Sequence, residues 1–404
     1  MKILFIADVS ISNVIGGAER VLHEQSVRLA KRGHLVHVAT RKLPKHKANH
    51  ENISGVSEWR YENNYTNPFN FLFSTIKNGK LLFDKLHNKY HFDCINFHQP
   101  FSALGINLFE MGNVLPKVYT CHSLSFEEFL SRDMKSNGIF RKVSSFLQIQ
   151  VRKRIEKYVL KKSNLITVLS RFTKDKLVGA YNIPINKIRM IPGGVDLKKF
   201  HSNDGKAMIR KQLNIPRDKV VLFTVRNLVQ RMGLENLIIA FHELEKEASD
   251  IQLVIGGKGP LENGLLALAR SFGIEQKVHF TGFISEEQLP LYYQMADFFV
   301  LPTKELEGFG LVTLEAMASG LPVLGTPVGG TKEIIGNFDS SFLFKGTDPH
   351  SIAGLILDNY NLLKQNPQKW KEISHRCRNF VERNYSWEKN IDALEELFAK
   401  TLQN

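Results

Sequence analysis

At 404 residues, with 43% hydrophobic and 23% charged residues, the chain is too long for one ordinary core and too apolar for a disordered protein. No apolar run reaches the roughly 18 residues of a membrane-spanning helix; the three cysteines show no C-x-x-C spacing, which argues against a disulfide framework or a structural zinc site and fits a reducing cytoplasm. The net charge of +14 favours an anionic partner: a membrane surface, a nucleic acid or a phosphate-bearing substrate.

The opening "MKILFIADVS" is apolar only as far as Ala7, which suits a buried first strand and is too short for a signal-peptide core. "AERVLHEQSVRLAKRG" follows, with apolar residues at helical spacing, basic residues in its last turn and Gly33 as its stop. "HLVHVAT", "FDCINFH", "KVYTCH" and "NLITVLS" read as further strands, and their alternation with helical patterns argues for parallel sheet. "IRMIPGGVDLKKF" breaks the pattern at Pro192-Gly193-Gly194. A second cycle then begins with "KVVLFTVRNL", "IQLVIGGKG", "KVHFTGFI", "ADFFVLPT" and "LPVLGTPVGG". The expected fold is therefore α/β, with two Rossmann-like doubly wound domains facing a central cleft. Their expected bounds are 1–190 and 191–385, followed by a C-terminal helix, 386–404, that crosses back to the first domain.

The chemistry gathers in "EGFGLVTLEAMASGLPV". Glu307 precedes a Gly-Phe-Gly turn, and seven residues separate it from Glu315. The turn lies between a buried strand and a helix, so Gly308, Phe309, Gly310 and Leu311 sit where backbone amides and the helix dipole favour an anion. Glu307 alone reads equally well as a helix-start cap. Glu315 lies further into the helix and needs a partner, for which the paired hydroxyls of a sugar or ribose are suitable. Gly16 and Gly17, in "GGAER", follow the first strand and suit a second phosphate-approaching turn. His122 ends the strand of "KVYTCH", and His98 ends that of "FDCINFH". Alternation along the strand turns Cys121 away from the face that His122 occupies, which argues against a thiol nucleophile.

The two glutamates around Gly-Phe-Gly, followed by "AMASGLPVLGTPVGG", resemble the nucleotide-sugar site of the family four glycosyltransferases, retaining enzymes of the GT-B architecture. "GGAER", "IPGGVDLKKF", "GGKGP" with Lys258, and "TGFIS" extend the resemblance through most of the chain. The resemblance implies that Glu315 accepts the ribose hydroxyls and that Glu307 holds hydroxyls of the donor sugar. Backbone from Gly308 to Leu311 would meet the sugar and diphosphate, and His122 would touch the donor sugar near the reacting centre. It implies a nucleoside-diphosphate sugar as donor, UDP favoured over GDP, and no further cofactor. No Asp-x-Asp occurs in the chain, and no metal is expected.

One stretch departs from the family pattern. Where the family has Gly-Arg-Leu and then Lys-Gly, this chain has "FTVRNLVQRMG", which places Asn227 at the Arg position and Met232 at the Lys position. Arg226 and Arg231 each sit one residue earlier. A diphosphate leaves readily only when its charge is stabilised, so Arg226, Arg231 or both are expected to supply the cation.

Residues 139–162 are strongly basic, with Glu156 the only acid, and Phe140, Val143, Leu147, Val151, Ile155 and Tyr158 recur at helical spacing. Such a helix either packs on its domain or lies on an anionic membrane, as does the aromatic, basic stretch 69–86. The acceptor expected from this is lipid-linked, in surface polysaccharide or glycolipid synthesis, with the protein cytoplasmic and peripheral on the inner face of the membrane. Three other readings compete with this one. A Rossmann oxidoreductase lacks its G-x-G-x-x-G, since "GGKGPLE" has Glu262 at the third glycine position. Nucleic-acid binding has charge alone in its favour. A non-catalytic nucleotide-sugar-binding protein draws on Asn227 and Met232.

Overall fold

Short apolar runs and helical patterns alternate in the computed structural model as they do in the sequence. It describes the chain apart from residues 13, 15, 109–114, 134–138, 204 and 404 and the side chains at 132, 133 and 139–143. Phe140 and Val143 of the basic helix thus lie outside the described side chains. The chain divides into two compact units, one formed by Met1–Gly193 with Trp387–Asn404 and the other by Gly194–Ser386.

The first unit runs β1 (Lys2–Ile6), α1 (Gly17–Lys31), β2 (Leu35–Arg41), β3 (His50–Ile53), β4 (Val56–Tyr61), α2 (Pro68–Tyr90), β5 (Cys94–Phe97), α3 (Pro100–Leu108), β6 (Lys117–Cys121), α4 (Ser125–Asp133), α5 (Ile139–Lys162), β7 (Leu165–Val168), α6 (Arg171–Tyr181) and β8 (Ile188–Met190). Its eight described strands are ordered β3-β4-β2-β1-β5-β6-β7-β8, parallel except for the β3–β4 pair. Strand alternation divides the core between the two sheet faces. Leu4 and Ile6 join a cluster with Phe97, Cys121, Val159 and Leu177, while Ile3, Phe5 and Ala7 join another with Leu22, Val38, Leu394 and Phe398.

The second unit runs α7 (Lys206–Gln212), β9 (Val220–Val225), α8 (Leu234–Leu244), β10 (Ile251–Gly256), α9 (Glu262–Ser271), β11 (Val278–Gly282), α10 (Leu289–Met295), β12 (Phe298–Leu301), α11 (Leu311–Ala318), β13 (Val323–Gly325), α12 (Gly329–Asp339), α13 (Pro349–Gln365) and α14 (Pro367–Asn384). Its strand order is β11-β10-β9-β12-β13, all parallel. The runs that form these strands are almost continuously apolar because both faces of a parallel sheet are covered. Asp348 and Asn366 cap α13 and α14 through their side chains, with proline in the first turn of each helix.

The last helix, α15 (Trp387–Gln403), packs on α1. Ile391, Leu394 and Phe398 are buried there, and Arg32 pairs with Asp392 and Glu395, each at 2.6 Å. The basic helix α5 does not present one continuous apolar face. Ile155, Val159 and Leu160 enter the core, whereas Phe146, Leu147 and Val151 are exposed.

Glu156, the only acid of α5, is fully buried. It accepts hydrogen bonds from the Tyr181 hydroxyl at 2.5 Å and from the Ser125 backbone N–H at 3.0 and 3.1 Å, and so ties α5 to the ends of α6 and α4. Burial pushes its carboxyl up to about 7, against the lowering effect of those donors and with Glu127 and Glu128 nearby adding to the rise. A carboxyl raised on folding binds its proton more tightly in the folded state. Stability is therefore expected to fall as pH rises from 4.5, the ordinary value, to about 7. Urea denaturation across that range should show the fall in the native protein and a flatter profile in Glu156→Gln; identical profiles would remove Glu156 as its source.

Candidate active site

In the second unit the loops that follow β9, β10, β12 and β13 all leave from the C-terminal edge of the sheet, where open α/β sheets take their ligands. Backbone contacts lock these loops together. Arg226 N–H donates to the Gly256 carbonyl and Leu228 N–H to the Lys258 carbonyl, each at 3.0 Å. A Cβ on Gly257, whose φ is +118°, would lie 1.8 Å from the Arg226 carbonyl oxygen, so only glycine fits. Lys304 N–H donates to the Arg231 carbonyl and Gly330 N–H to the Glu307 carbonyl, each at 2.8 Å. Gly329, at φ +61°, would set a Cβ 2.0 Å from that Glu307 oxygen. Stretches far apart in the chain thereby form one rigid rim.

Glu307 lies in this rim with its side chain 13% exposed and is paired with Arg226. The Arg226 guanidinium, itself nearly buried, also donates to Thr303 Oγ1 at 3.2 Å and contacts Met232 Sδ. Asn227 is exposed. Arg226, not the residue at the family's Arg position, thus reaches the glutamate, and Met232 packs on its guanidinium. Arg231 donates through Nη1 to the Leu306 carbonyl at 2.8 Å, on the same loop as Glu307. Arg226, Arg231, Glu307 and the turn at Gly308, Phe309, Gly310 and Leu311 are therefore brought together.

Gly310 is the N-cap of α11 with φ +95° and contributes no side chain to the first-turn amides. Glu315, one turn further on, is 2% exposed and accepts a hydrogen bond from the Tyr293 hydroxyl at 2.9 Å. Nothing in the sequence pattern singled out Tyr293, because α10 carries it 22 residues before its partner. The side chain of Lys258 is exposed beside Gly282. Among the described residues no three His, Cys, Asp or Glu side chains converge as metal ligands would.

In the first unit Gly16 is the N-cap of α1 and Gly17 its first residue, in the loop that leaves β1. The front of that loop hangs on a buried carboxylate. Glu58 accepts from Ser10 Oγ at 2.7 and 2.9 Å, from Ile11 N–H at 2.7 Å and from Arg60 Nε at 2.6 Å. The end of β6 carries His122, whose Nε2 lies 3.0 Å from His98 Nδ1, so one ring donates and the other accepts. Burial pushes His122 down to about 4 and His98 well below the usual histidine range. His122 is thus a neutral hydrogen-bonding group at neutral pH, and His98 sets its orientation. Cys121 lies in the core, its thiol pushed well up by burial.

Residues 15–199 match the family model described as Glycosyltransferase Family 4, and residues 205–378 match the model described as Glycosyl transferases group 1. Over 244 residues the chain is 30% identical to a GDP-mannose-dependent alpha-(1-6)-phosphatidylinositol monomannoside mannosyltransferase of Mycolicibacterium smegmatis; the match covers 59% of this chain and 62% of that one, less than two thirds of its length. It is 26% identical to alpha-monoglucosyldiacylglycerol synthase of Streptococcus pneumoniae over 89% of this chain and 78% of that protein. Among solved structures, sucrose-phosphate synthase from Thermosynechococcus elongatus superposes with a TM-score of 0.82 at 22% identity, covering 99% of each chain. Anabaena HepE in complex with UDP and glucose superposes with a TM-score of 0.78 at 18% identity, covering 99% of this chain and 100% of that one.

Proposed function

Because the chain belongs to the family four glycosyltransferases and has their GT-B fold of two Rossmann-like domains, we propose that it moves a sugar from a nucleoside-diphosphate donor to an acceptor hydroxyl with the anomeric configuration kept. The observation that carries this reading is the pairing of Arg226 with Glu307 beside the start of α11, with Glu315 buried one turn further on.

Each residue then has a physical task. Glu315, held by Tyr293, accepts the ribose hydroxyls. Glu307, oriented by Arg226, accepts hydroxyls of the donor sugar. The amides from Gly308 to Leu311 and the guanidinium of Arg231 meet the diphosphate, with Lys258 beside them. They stabilise charge that grows as the nucleotide departs. His122, neutral and fixed by His98, hydrogen-bonds the sugar, and the turn at Gly16 and Gly17 approaches the phosphates. The leaving phosphate helps to take the acceptor proton on the face from which it departs.

UDP is favoured over GDP as the donor nucleotide. The acceptor is a hydroxyl in a glycolipid or surface polysaccharide, a reading supported by relatives whose names describe glycolipid synthesis. Among the described residues no helix is long and apolar enough to cross a membrane. Phe146, Leu147 and Val151 stand exposed on the basic helix α5, and Phe69 and Phe73 are exposed at the start of α2, which supports peripheral attachment to an anionic inner face.

Calorimetry with a panel of UDP- and GDP-sugars tests the donor assignment. One member is expected to bind, about tenfold or more weaker in Glu315→Ala and about fivefold weaker in Tyr293→Phe. Folded protein that binds no member would refute the donor site. Binding without turnover on any acceptor would favour the non-catalytic reading suggested by Asn227 and Met232.

A further inference from the structure

A buried acid stands behind the turn that carries His122. That turn, His122 to Leu124, joins β6 to α4 within the first unit. Each of its residues is held: His122 by His98 at 3.0 Å, Ser123 through its hydroxyl by Glu128, and the Leu124 carbonyl by the N–H groups of Glu127 and Glu128 at 3.0 and 3.1 Å. Ser125 N–H, the first amide of α4, comes next, and both oxygens of Glu156 accept it, at 3.1 and 3.0 Å. Glu156 Oε2 also accepts from the Tyr181 hydroxyl at 2.5 Å. The acid of α5 therefore grips the backbone three residues after His122 and braces it against the end of α6.

A glutamine would offer Ser125 N–H an acceptor as well. A carboxylate adds charge. Ionised, it accepts from Ser125 and Tyr181 at once and places its negative charge at the first amide of α4, where the helix dipole favours it. Protonated, one of its oxygens becomes a donor, and the neutral carboxyl is a weaker acceptor for Ser125 N–H. Burial pushes the carboxyl up to about 7 against the Tyr181 hydroxyl and the Ser125 amide, with Glu128 and Glu127 of α4 adding to the rise. Tyr119 and Cys121 of β6 and Tyr181 of α6 also face Glu156, and burial pushes all three well up. Lys176 of α6 is paired with Glu127 at 2.6 Å, and Lys153 of α5 lies over the Phe126 ring at 4.2 Å. α3, which packs on α5 as well, brings no titratable side chain. The charge of Glu156 thus changes close to neutral pH.

We propose that Glu156 is a positioning residue for the transfer reaction: as a carboxylate it anchors α4 at Ser125 and so fixes the turn that presents His122, and when it takes up a proton that anchor slackens. The anchoring belongs to the first unit alone. Its effect on transfer rests on the function proposed above, through the contact of His122 with the donor sugar.

NMR of histidine-labelled full chain tests the anchoring. His122, pushed down to about 4, stays neutral near neutral pH, so its ring signals move there only with its surroundings. In the native protein they are expected to shift with a midpoint at about 7. The midpoint should vanish in Glu156→Gln, which is neutral at every pH, and move to higher pH in Tyr181→Phe, which lacks a donor that favours the carboxylate. Calorimetry with the donor and with its bare nucleotide then isolates the contacts of the sugar. The ratio of the two affinities is expected to rise about threefold from about pH 6 to about pH 8 in the native protein and to stay flat in Glu156→Gln. A purely structural Glu156 would change the denaturation midpoint and leave that ratio independent of pH, which would overturn the positioning role. Ring signals without the midpoint, or with a midpoint that Glu156→Gln leaves in place, would overturn the anchoring. The native profile is decisive even if a variant folds poorly. If no nucleotide-sugar binds, the function proposed above falls, and the ring signals still decide whether Glu156 controls the turn.

Discussion

Arg226→Ala is expected to lower turnover by about a hundredfold or more. Arg226 holds Glu307 through a nearly buried ion pair and is fixed in turn by Thr303. Removing the guanidinium leaves the Glu307 carboxylate without its cation in a poorly hydrated place, where it can no longer be held in line for a sugar hydroxyl. It also removes positive charge from the neighbourhood of the departing diphosphate, where one preorganised group is typically worth about a hundredfold to a thousandfold in rate. Arg226→Lys should recover only part of the loss, since an ammonium keeps the charge without the planar fork that reaches Glu307 and Thr303 together. Arg231→Ala should act in the same direction and more through the diphosphate than through the sugar. The measurement is single-turnover transfer, or donor hydrolysis where no acceptor is in hand, with nucleotide binding recorded beside it. Normal turnover in both Arg226→Ala and Arg231→Ala would end the assignment of the leaving-group cation to these residues.

The largest expected effect on stability belongs to Glu58→Ala. Glu58 is fully buried on β4 and satisfies Ser10, Ile11 and Arg60 at once. Its loss leaves the Arg60 guanidinium, whose side chain is 1% exposed, with Glu51 as its remaining carboxylate partner among the described residues. Breaking one side of a buried pair costs about 3–5 kcal/mol. Chemical denaturation should show that loss in the transition of the first unit, with nucleotide binding by the second unit retained. Glu58→Gln should lose less, because an amide oxygen still accepts from Arg60. An unchanged denaturation midpoint in Glu58→Ala would mean that the network contributes nothing to holding the loop after β1.

The two substitutions differ in how visible they were along the chain. The parallel strands were legible because a strand covered on both faces must be apolar throughout, and "KILFIA", "VVLFTV" and "FFVL" are. The glutamate pair was legible because a strand, a glycine turn and a helix start follow one another locally. β4 is not legible in the sequence. Its "VSEWRY" places Glu58 and Arg60 on alternate positions, and charges in that pattern read as a solvent-facing loop or edge. Their burial becomes intelligible only when each is seen to neutralise the other. The same holds for the stripe expected on 139–162: its spacing is helical throughout, but the core takes Ile155 and leaves Leu147 and Val151 exposed.

The sequence by itself determined the α/β class, the family resemblance and the short-range motifs, because strand burial, helix starts and glycine turns are set by neighbours a few residues away. It narrowed the leaving-group cation to Arg226 and Arg231 and could go no further. Only the tertiary structure decided that Arg226 meets Glu307 across 81 residues of chain, that Tyr293 holds Glu315, and that His98 holds His122. Such pairings depend on strand order and on which loops interlock, and a long-range contact leaves no periodicity in the sequence from which to read it.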